Sequence, residues 1–272
     1  MKVEVRCPAK INLFLSVGPP DQRNYHPLRT VFQAVSLSDQ LTVEIEGEQD
    51  EISCNWPDLP VDNTLTKTLR LVREMVPLPP VKLSLQKSIP AESGLGGGSS
   101  NAAGLLRGIK RLFPDSLEER FMQEVAMSVG ADVPFFLVGG QAKATGYGEI
   151  LDPLPDPERM HFVIVRPDMG VSTPMAFRGL DQTEREWREF PAGDELYNDF
   201  ERVAPCESID LGERLQIHGA TGALLCGSGS AIFGIYNSEE RAAYALEKMK
   251  GEGYRSSWQA TSLTREESLW TS

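Results

Sequence analysis

The feature that most constrains this chain is a glycine-rich run, Pro90-Ala91-Glu92-Ser93-Gly94-Leu95-Gly96-Gly97-Gly98-Ser99-Ser100-Asn101, set between two apolar segments of different period. Before it, Val81, Leu83 and Leu85 alternate with Lys82 and Ser84, as in a half-buried strand. After it, Ala102, Leu105, Leu106, Ile109 and Phe113 recur at helical spacing. The start of a helix offers N–H groups without intrahelical partners and the positive end of a dipole, and glycines let backbone approach a ligand closely. Strand, glycine loop and helix in that order make an anion cradle suited to phosphate. Ser99, Ser100 and Asn101 are good N-cap types and put the helix start near residue 101. The plainer alternative, a flexible loop with an ordinary cap, leaves the flanking strand and helix unexplained. Two other phosphate motifs fail on spacing. No Gly-Lys pair exists for GxxxxGK[ST], and counting GxGxxG from Gly94 or Gly96 puts the third glycine on Ser99 or Asn101.

Elsewhere, Val3–Val5 and Ile11–Val17 read as two strands, or one strand broken by a bulge near Pro8. Leu41–Ile45 and Phe162–Val165 read as strands, and Thr64–Val76, Leu117–Val129 and Glu239–Gly251 as helices. Asp152–Arg159 holds three prolines and no period, which divides the chain into lobes of residues 1–152 and 153–272. Thr183–Glu201 is acidic and expected to be helical in pieces, and Ile217–Tyr236 carries a second Gly/Ser-rich segment.

Composition narrows the partners. A net charge of −12 argues against nucleic acid and anionic membranes. The charge is uneven: residues 1–30 carry five Lys/Arg against two Asp/Glu and residues 87–113 four against one, whereas residues 181–201 carry two against eight. The acidity is therefore expected on a solvated face away from the motifs. Cys7, Cys54, Cys206 and Cys226 form no CxxC pair and no compact disulfide pattern. With no apolar leader or spanning segment, a cytoplasmic protein with reduced thiols is expected. Three histidines and no HExxH make a histidine metal site a poor expectation.

The run Pro90–Asn101 resembles the P-x-x-x-G-L-G-x-G-S-S phosphate loop of the GHMP kinase superfamily. Pro8-Ala9-Lys10-Ile11-Asn12-Leu13 resembles that superfamily's first motif, and Cys226-Gly227-Ser228-Gly229-Ser230-Ala231-Ile232-Phe233 its third. The Lys10-Ile11-Asn12 form, Tyr25-His26, Phe32-Gln33 and Gly130-Ala131-Asp132-Val133-Pro134-Phe135-Phe136 are similar to one branch, which phosphorylates a tertiary hydroxyl of a cytidine diphosphate-bearing substrate in isoprenoid precursor synthesis. The resemblance implies an α+β fold in two lobes, the first like ribosomal protein S5 domain 2 and the second ferredoxin-like. It implies ATP with Mg²⁺, a small-molecule substrate, and a monomer or weak homodimer.

The resemblance also implies roles. By itself Asp132 is a turn or cap residue, and Lys10 an edge-strand charge or a snorkelling side chain in the apolar stretch Pro8–Leu15. The family makes Asp132 the catalytic base and Lys10 its partner. Pro90 to Ser100 would hold the ATP phosphates, and Asn63 and Lys87 would contact adenine. Asn12 would bind the substrate or the catalytic pair. Tyr25 and Phe177 would sandwich the cytosine with His26 hydrogen-bonding it. Thr173 would lie nearby, and Gly227 and Gly229 would approach the substrate diphosphate. No Mg²⁺ carboxylate stands out; Ser100 or water would serve. Asn24 stands where the branch has glycine, and Cys226 where it has serine. Another GHMP kinase, or a nucleotide-binding regulator without chemistry, are the competing readings. Tyr25, His26 and Phe177 discriminate against the first, and Lys10 with Asp132 against the second.

Overall fold

The computed structural model describes residues 1–57 and 59–272. Two long strands, β1 (Lys2–Val17) and β2 (Leu28–Ile45), pair antiparallel over almost their whole length. Of the two readings for the N-terminal segments, the single broken strand holds, with register shifts at Pro8/Ala9 and Asn12/Phe14. The first shift falls where a proline has no N–H for the ladder. The second re-aims side chains next to Lys10 and Asn12, as bulges near sites do.

β3 (Glu51–Cys54) pairs with β4 (Val81–Gln86), which lies on the second half of β2. β5 (Gln141–Thr145) lies on the first half of β2 and carries β6 (Ile150–Pro153) at its outer edge. The helices α1 (Thr64–Met75), α2 (Gly97–Leu112), α3 (Glu119–Val129) and α4 (Phe135–Val138) share one core with this sheet, including Val5, Phe32, Leu41, Leu69, Leu106 and Phe135. A second, antiparallel sheet has the order β11 (Ser257–Thr261), β7 (His161–Val165), β10 (Ile232–Tyr236), β9 (Gly222–Leu225). It packs with α6 (Cys206–Ile217) and α7 (Glu239–Gly251). Among the described residues no helix is long and apolar enough to cross a membrane.

Three connections tie the halves together. β8 (Tyr197–Asn198) leaves the second half of the chain and pairs parallel with Phe14 and Leu15 of β1. The tail, including α8 (Arg265–Ser268), returns to the first sheet through bridges Val35 to Ser262 and Val5 to Thr271. A shared cluster joins Ala9, Ile11, Ile89 and Leu95 to Phe162, Leu224, Cys226 and Phe233.

Two expectations are corrected. Helix α2 starts at Gly97, not near residue 101, and its N-cap is Gly96 at φ 73°, a left-handed conformation that glycine adopts without strain and serine does not. Ser99, Ser100 and Asn101 therefore lie inside the first turns. Between residues 182 and 196 there is no helix; the segment is a strap, followed by β8 and a 3₁₀ turn at Asp199–Val203. The strap's groups bond across the fold rather than locally: Arg185 Nε donates to Val17 O at 3.1 Å and the Arg188 amide to Ser16 Oγ at 2.9 Å. The strap's own acids are exposed, but the 3₁₀ turn after it holds a buried one. Asp199 is fully buried and accepts from the Val17 amide at 2.7 Å.

α2 crosses β1 at Gly104, where a Cβ would lie 2.3 Å from Cys7 Sγ. Alanine in a helix interior gains up to about 1 kcal/mol over glycine, whereas overpacking a full core costs about 1–3 kcal/mol. Gly104→Ala is therefore expected to destabilise the protein by about 1–2 kcal/mol, read as a lower urea midpoint at unchanged slope.

Candidate active site

The three glycine- or lysine-bearing segments meet at one point. The Lys10 amide donates to Leu95 O at 3.0 Å, and the Ala231 amide to Ser93 O at 3.1 Å. Gly94, at φ 77°, presses on the opposing loop so closely that a Cβ would lie 1.7 Å from the Cys226 carbonyl oxygen. The glycine loop is thus clamped between β1 and the β9–β10 connection.

Around this contact lies a cavity of about 870 Å³, lined by Lys10, Asn12, Asp132, Pro90 through Ser99, Asn63, Lys87, Thr173, Phe177, Gly227 and Gly229. In α2 the first helical bond runs from the Ser100 amide to Gly96 O at 2.9 Å. The amides of Gly97, Gly98 and Ser99 are therefore unused by the helix and available to an anion. Ser100 itself is buried beneath the loop, and its hydroxyl has no hydrogen-bond partner.

Lys10 is almost fully buried. Its Nζ lies 2.8 Å from Asn12 Oδ1, 3.7 Å from Asp132 Oδ2 and 5.2 Å from the centre of the Phe32 ring. Asp132 sits in the turn between α3 and α4, with its side chain 33% exposed on the cavity side. The pair therefore offers a held ammonium beside an accessible carboxylate. Burial pushes the neighbouring Cys226 thiol up to about 12 against the opposing pull of Lys10, so the thiol stays neutral.

A second cavity of about 930 Å³ adjoins the first through Phe177 and Leu28. It is lined by Tyr25, His26, Tyr147, Arg178 and Asp181. Tyr25 is 63% exposed, and Phe177, on α5 (Thr173–Leu180), is half-buried against the second core. The His26 ring stacks on Phe177 at 5.0 Å; its Nδ1 donates to Gly18 O at 3.0 Å and its Nε2 faces Asp181 at 3.3 Å. Thr173 shares a 2.9 Å hydroxyl contact with Ser228.

A model of the GHMP kinases N terminal domain matches residues 63–140, and one described as GHMP kinases C terminal matches residues 207–255. A 4-diphosphocytidyl-2-C-methyl-D-erythritol kinase of Desulfitobacterium hafniense is 33% identical over 259 residues, covering 89% of both chains. One of Porphyromonas gingivalis is 33% identical over 85% of this chain and 91% of its own. The crystal structure of a 4-(cytidine 5'-diphospho)-2C-methyl-D-erythritol kinase superposes with TM-score 0.83 at 32% identity, over 95% of this chain and 98% of that one. The chain belongs to the 4-diphosphocytidyl-2-C-methyl-D-erythritol kinase family. A homoserine kinase of Cytophaga hutchinsonii, at 19% identity and TM-score 0.72, shares the fold.

Two residues that the family resemblance assigns to adenine have partners already. The Asn63 amide caps α1, accepting from the Leu65 and Thr66 amides at 2.9 and 3.2 Å and donating to Pro60 O at 2.7 Å. Lys87 Nζ lies 2.5 Å from the buried Asp39. Both still line the main cavity. The departure at Asn24 is absorbed, since Asn24 takes φ 61°, which asparagine tolerates better than other side-chain-bearing residues.

Sequence reading passed over three residues that shape these cavities. Asp39 collects the Ser88 and Ile89 amides at 2.7 and 2.8 Å, Lys87, and Asn101 Nδ2 at 2.8 Å, joining the end of β4 to the first turn of α2. Its signal was a charge in the apolar phase of the alternation Val35, Leu37, Leu41, Val43. Tyr147 donates its hydroxyl to Asp21 at 2.6 Å, and Asp21 in turn accepts from the Tyr25 amide at 3.0 Å. That hydroxyl is the main reason the Asp21 carboxyl is held well below the usual range. Asn198 Nδ2 donates to Gly227 O at 2.8 Å. Neither Tyr147 nor Asn198 carries a sequence signal, because each meets its partner only through long-range packing.

Gly94→Ala is expected to displace the glycine loop from the Cys226 carbonyl, because the new methyl meets the backbone of Cys226 and Gly229. ATP binding, read by calorimetry, should fall below detection while the far-ultraviolet dichroism stays close to wild type.

Proposed function

We infer that this chain transfers the γ-phosphoryl group of ATP to the 2-hydroxyl of 4-diphosphocytidyl-2-C-methyl-D-erythritol, the kinase step of the methylerythritol phosphate route to isoprenoid precursors. The observation that carries this reading is the Lys10–Asp132 pair, 3.7 Å apart, in one cavity with a glycine loop whose amides are free, in a chain a third identical to kinases of that name. Residues 1–152 and 153–272 act as two lobes, with the reaction between them.

Phosphoryl transfer asks the protein for alignment and charge stabilisation more than for covalent chemistry. The loop Pro90 to Ser99 and the start of α2 cradle the ATP phosphates, with Asn63 and Lys87 toward the adenine. Asp132 takes the proton of the attacking hydroxyl as the oxygen approaches phosphorus. Lys10 stabilises the developing alkoxide and holds the carboxylate in place. Mg²⁺ fits the donors present, since Ser100 offers a buried, unpartnered hydroxyl oxygen and a hard cation takes oxygen ligands. When bound with ATP it would supply neutralisation of charge on the transferring phosphate.

Tyr25 and Phe177 flank the substrate base, His26 hydrogen-bonds it, and Thr173, Gly227 and Gly229 border the diphosphate. Asn12 serves the catalytic pair through Lys10. The adjoining base cavity favours this acceptor over mevalonate or homoserine, which bring no aromatic base to stack. A binding protein without chemistry would have no use for a buried lysine beside an exposed carboxylate.

The deciding assay supplies ATP, Mg²⁺ and each of three acceptors, the cytidine diphosphate-bearing polyol, mevalonate and homoserine, and follows ADP. Release with the first alone is expected. Release with mevalonate or homoserine instead refutes the substrate, and release with none refutes the activity. Lys10→Ala and Asp132→Ala are expected to fold and to lose at least a thousandfold in kcat, so near-normal turnover by either would remove the assigned pair. Because base stacking contributes about 1–3 kcal/mol, Phe177→Ala should raise the acceptor KM about tenfold or more and change kcat little. An unchanged KM would exclude Phe177 from the base site.

A further inference from the structure

We propose that Thr30 is a positioning residue for phosphoryl transfer, fixing the amide of Asn12 so that its oxygen faces Lys10. The inference rests on the catalytic reading of Lys10 and Asp132 and adds a residue behind them.

The direction of the chain of hydrogen bonds is forced from its far end. Thr30 is fully buried in β2, opposite Leu15 of β1 and Ala144 of β5. Its Oγ1 lies 2.6 Å from Phe14 O. A carbonyl only accepts, so the single hydroxyl proton of Thr30 is committed there, and Oγ1 has only acceptor capacity left. Asn12 Nδ2 lies 2.8 Å from Oγ1 and donates to it. The other end of the amide, Oδ1, then accepts from Lys10 Nζ at 2.8 Å. Were the amide reversed, its NH₂ group would face the Lys10 ammonium and its oxygen a hydroxyl with no proton to give. Both contacts would become repulsive between buried groups, where such errors are expensive.

The register shift between Asn12 and Phe14 supplies the geometry. It keeps Lys10 and Asn12 on one side of the bulge and brings the Phe14 carbonyl within reach of Thr30 on the other. Lys10 has few alternatives: its ammonium is buried, the Phe32 ring lies on one flank, and a Cβ on Gly227 would approach it to 3.2 Å. Without a fixed Asn12 oxygen, the ammonium loses the contact that sets its distance to Asp132. A misplacement of this kind is expected to lower the chemical step rather than binding, because Thr30 is fully buried and lines neither cavity.

The test compares Thr30→Val and Thr30→Ala, which remove the hydroxyl, with Thr30→Ser, which keeps it, and with Lys10→Ala. Steady-state rates are measured with ATP–Mg²⁺ and the cytidine diphosphate-bearing acceptor. Valine and alanine are expected to lower kcat together by on the order of tenfold, with both KM values within about twofold of wild type, and serine to restore most of the rate. The valine and alanine variants leave different cavities. A purely structural role would therefore make their losses diverge in step with their melting temperatures, and that pattern would overturn the proposal. So would full kcat in the valine variant while Lys10→Ala is inactive. Near-normal turnover by Lys10→Ala would instead remove the catalytic reading, and the role of Thr30 with it.

Discussion

The tightest constraint in the molecule is the contact between Gly94 and the carbonyl of Cys226, which leaves no room for a single added carbon. From it follows the shape of the phosphate cradle. The loop's neighbouring carbonyls, Ser93 O and Leu95 O, are bonded to Ala231 and Lys10, on opposite sides. Leu95 is sunk into the cluster shared by the two sheets. The loop is therefore a rigid wedge between lobes, even though its composition is that of a flexible linker. Its rigidity leaves the amides of Gly97, Gly98 and Ser99 pointed where an anion can use them without an ordering cost.

Electrostatics follow the same logic. Two lysines, Lys10 and Lys87, line the main cavity, and each already faces a carboxylate, Asp132 at 3.7 Å and Asp39 at 2.5 Å. Little of that positive charge is left free, so the proposed phosphate site depends largely on fixed backbone dipoles. Hydrogen bonds to charged acceptors contribute about 1.5–3 kcal/mol each, enough for a few amides to outweigh the overall charge. The chain's net −12 thus coexists with an anion site. Part of the acidity is paired within the fold: the buried Asp199, in the 3₁₀ turn, accepts from the Val17 amide of β1, and the exposed Asp181 faces His26 beside the second cavity.

Much of this was legible in residue order. Alternation in Val81–Leu85 and helical spacing after Asn101 framed the loop correctly, because local period reports which face is buried. The helix start was misjudged by several residues. Side-chain caps such as Ser99 are a sequence signal, whereas a left-handed glycine cap at Gly96 is indistinguishable from any other glycine in a run. The segment from residue 182 to 196 was misread for a different reason. Its charge pattern suits a solvated helix, yet its polar groups bond to Val17 and Ser16, more than 150 residues away in sequence. Tyr147 carries no local signal for a similar reason, since its hydroxyl meets Asp21 more than 100 residues away.

The sequence by itself determined the fold class and the family resemblance, since glycine spacing and motif order are local; Lys10 and Asp132 take their proposed roles from that resemblance, not from their residue types alone. Only the tertiary structure decided how the pair is held. The bulge in β1, the carbonyl of Phe14, the hydroxyl of Thr30 and the amide of Asn12 come from different strand positions. Their order of donation is a property of three-dimensional distance, and no pattern along the chain encodes it.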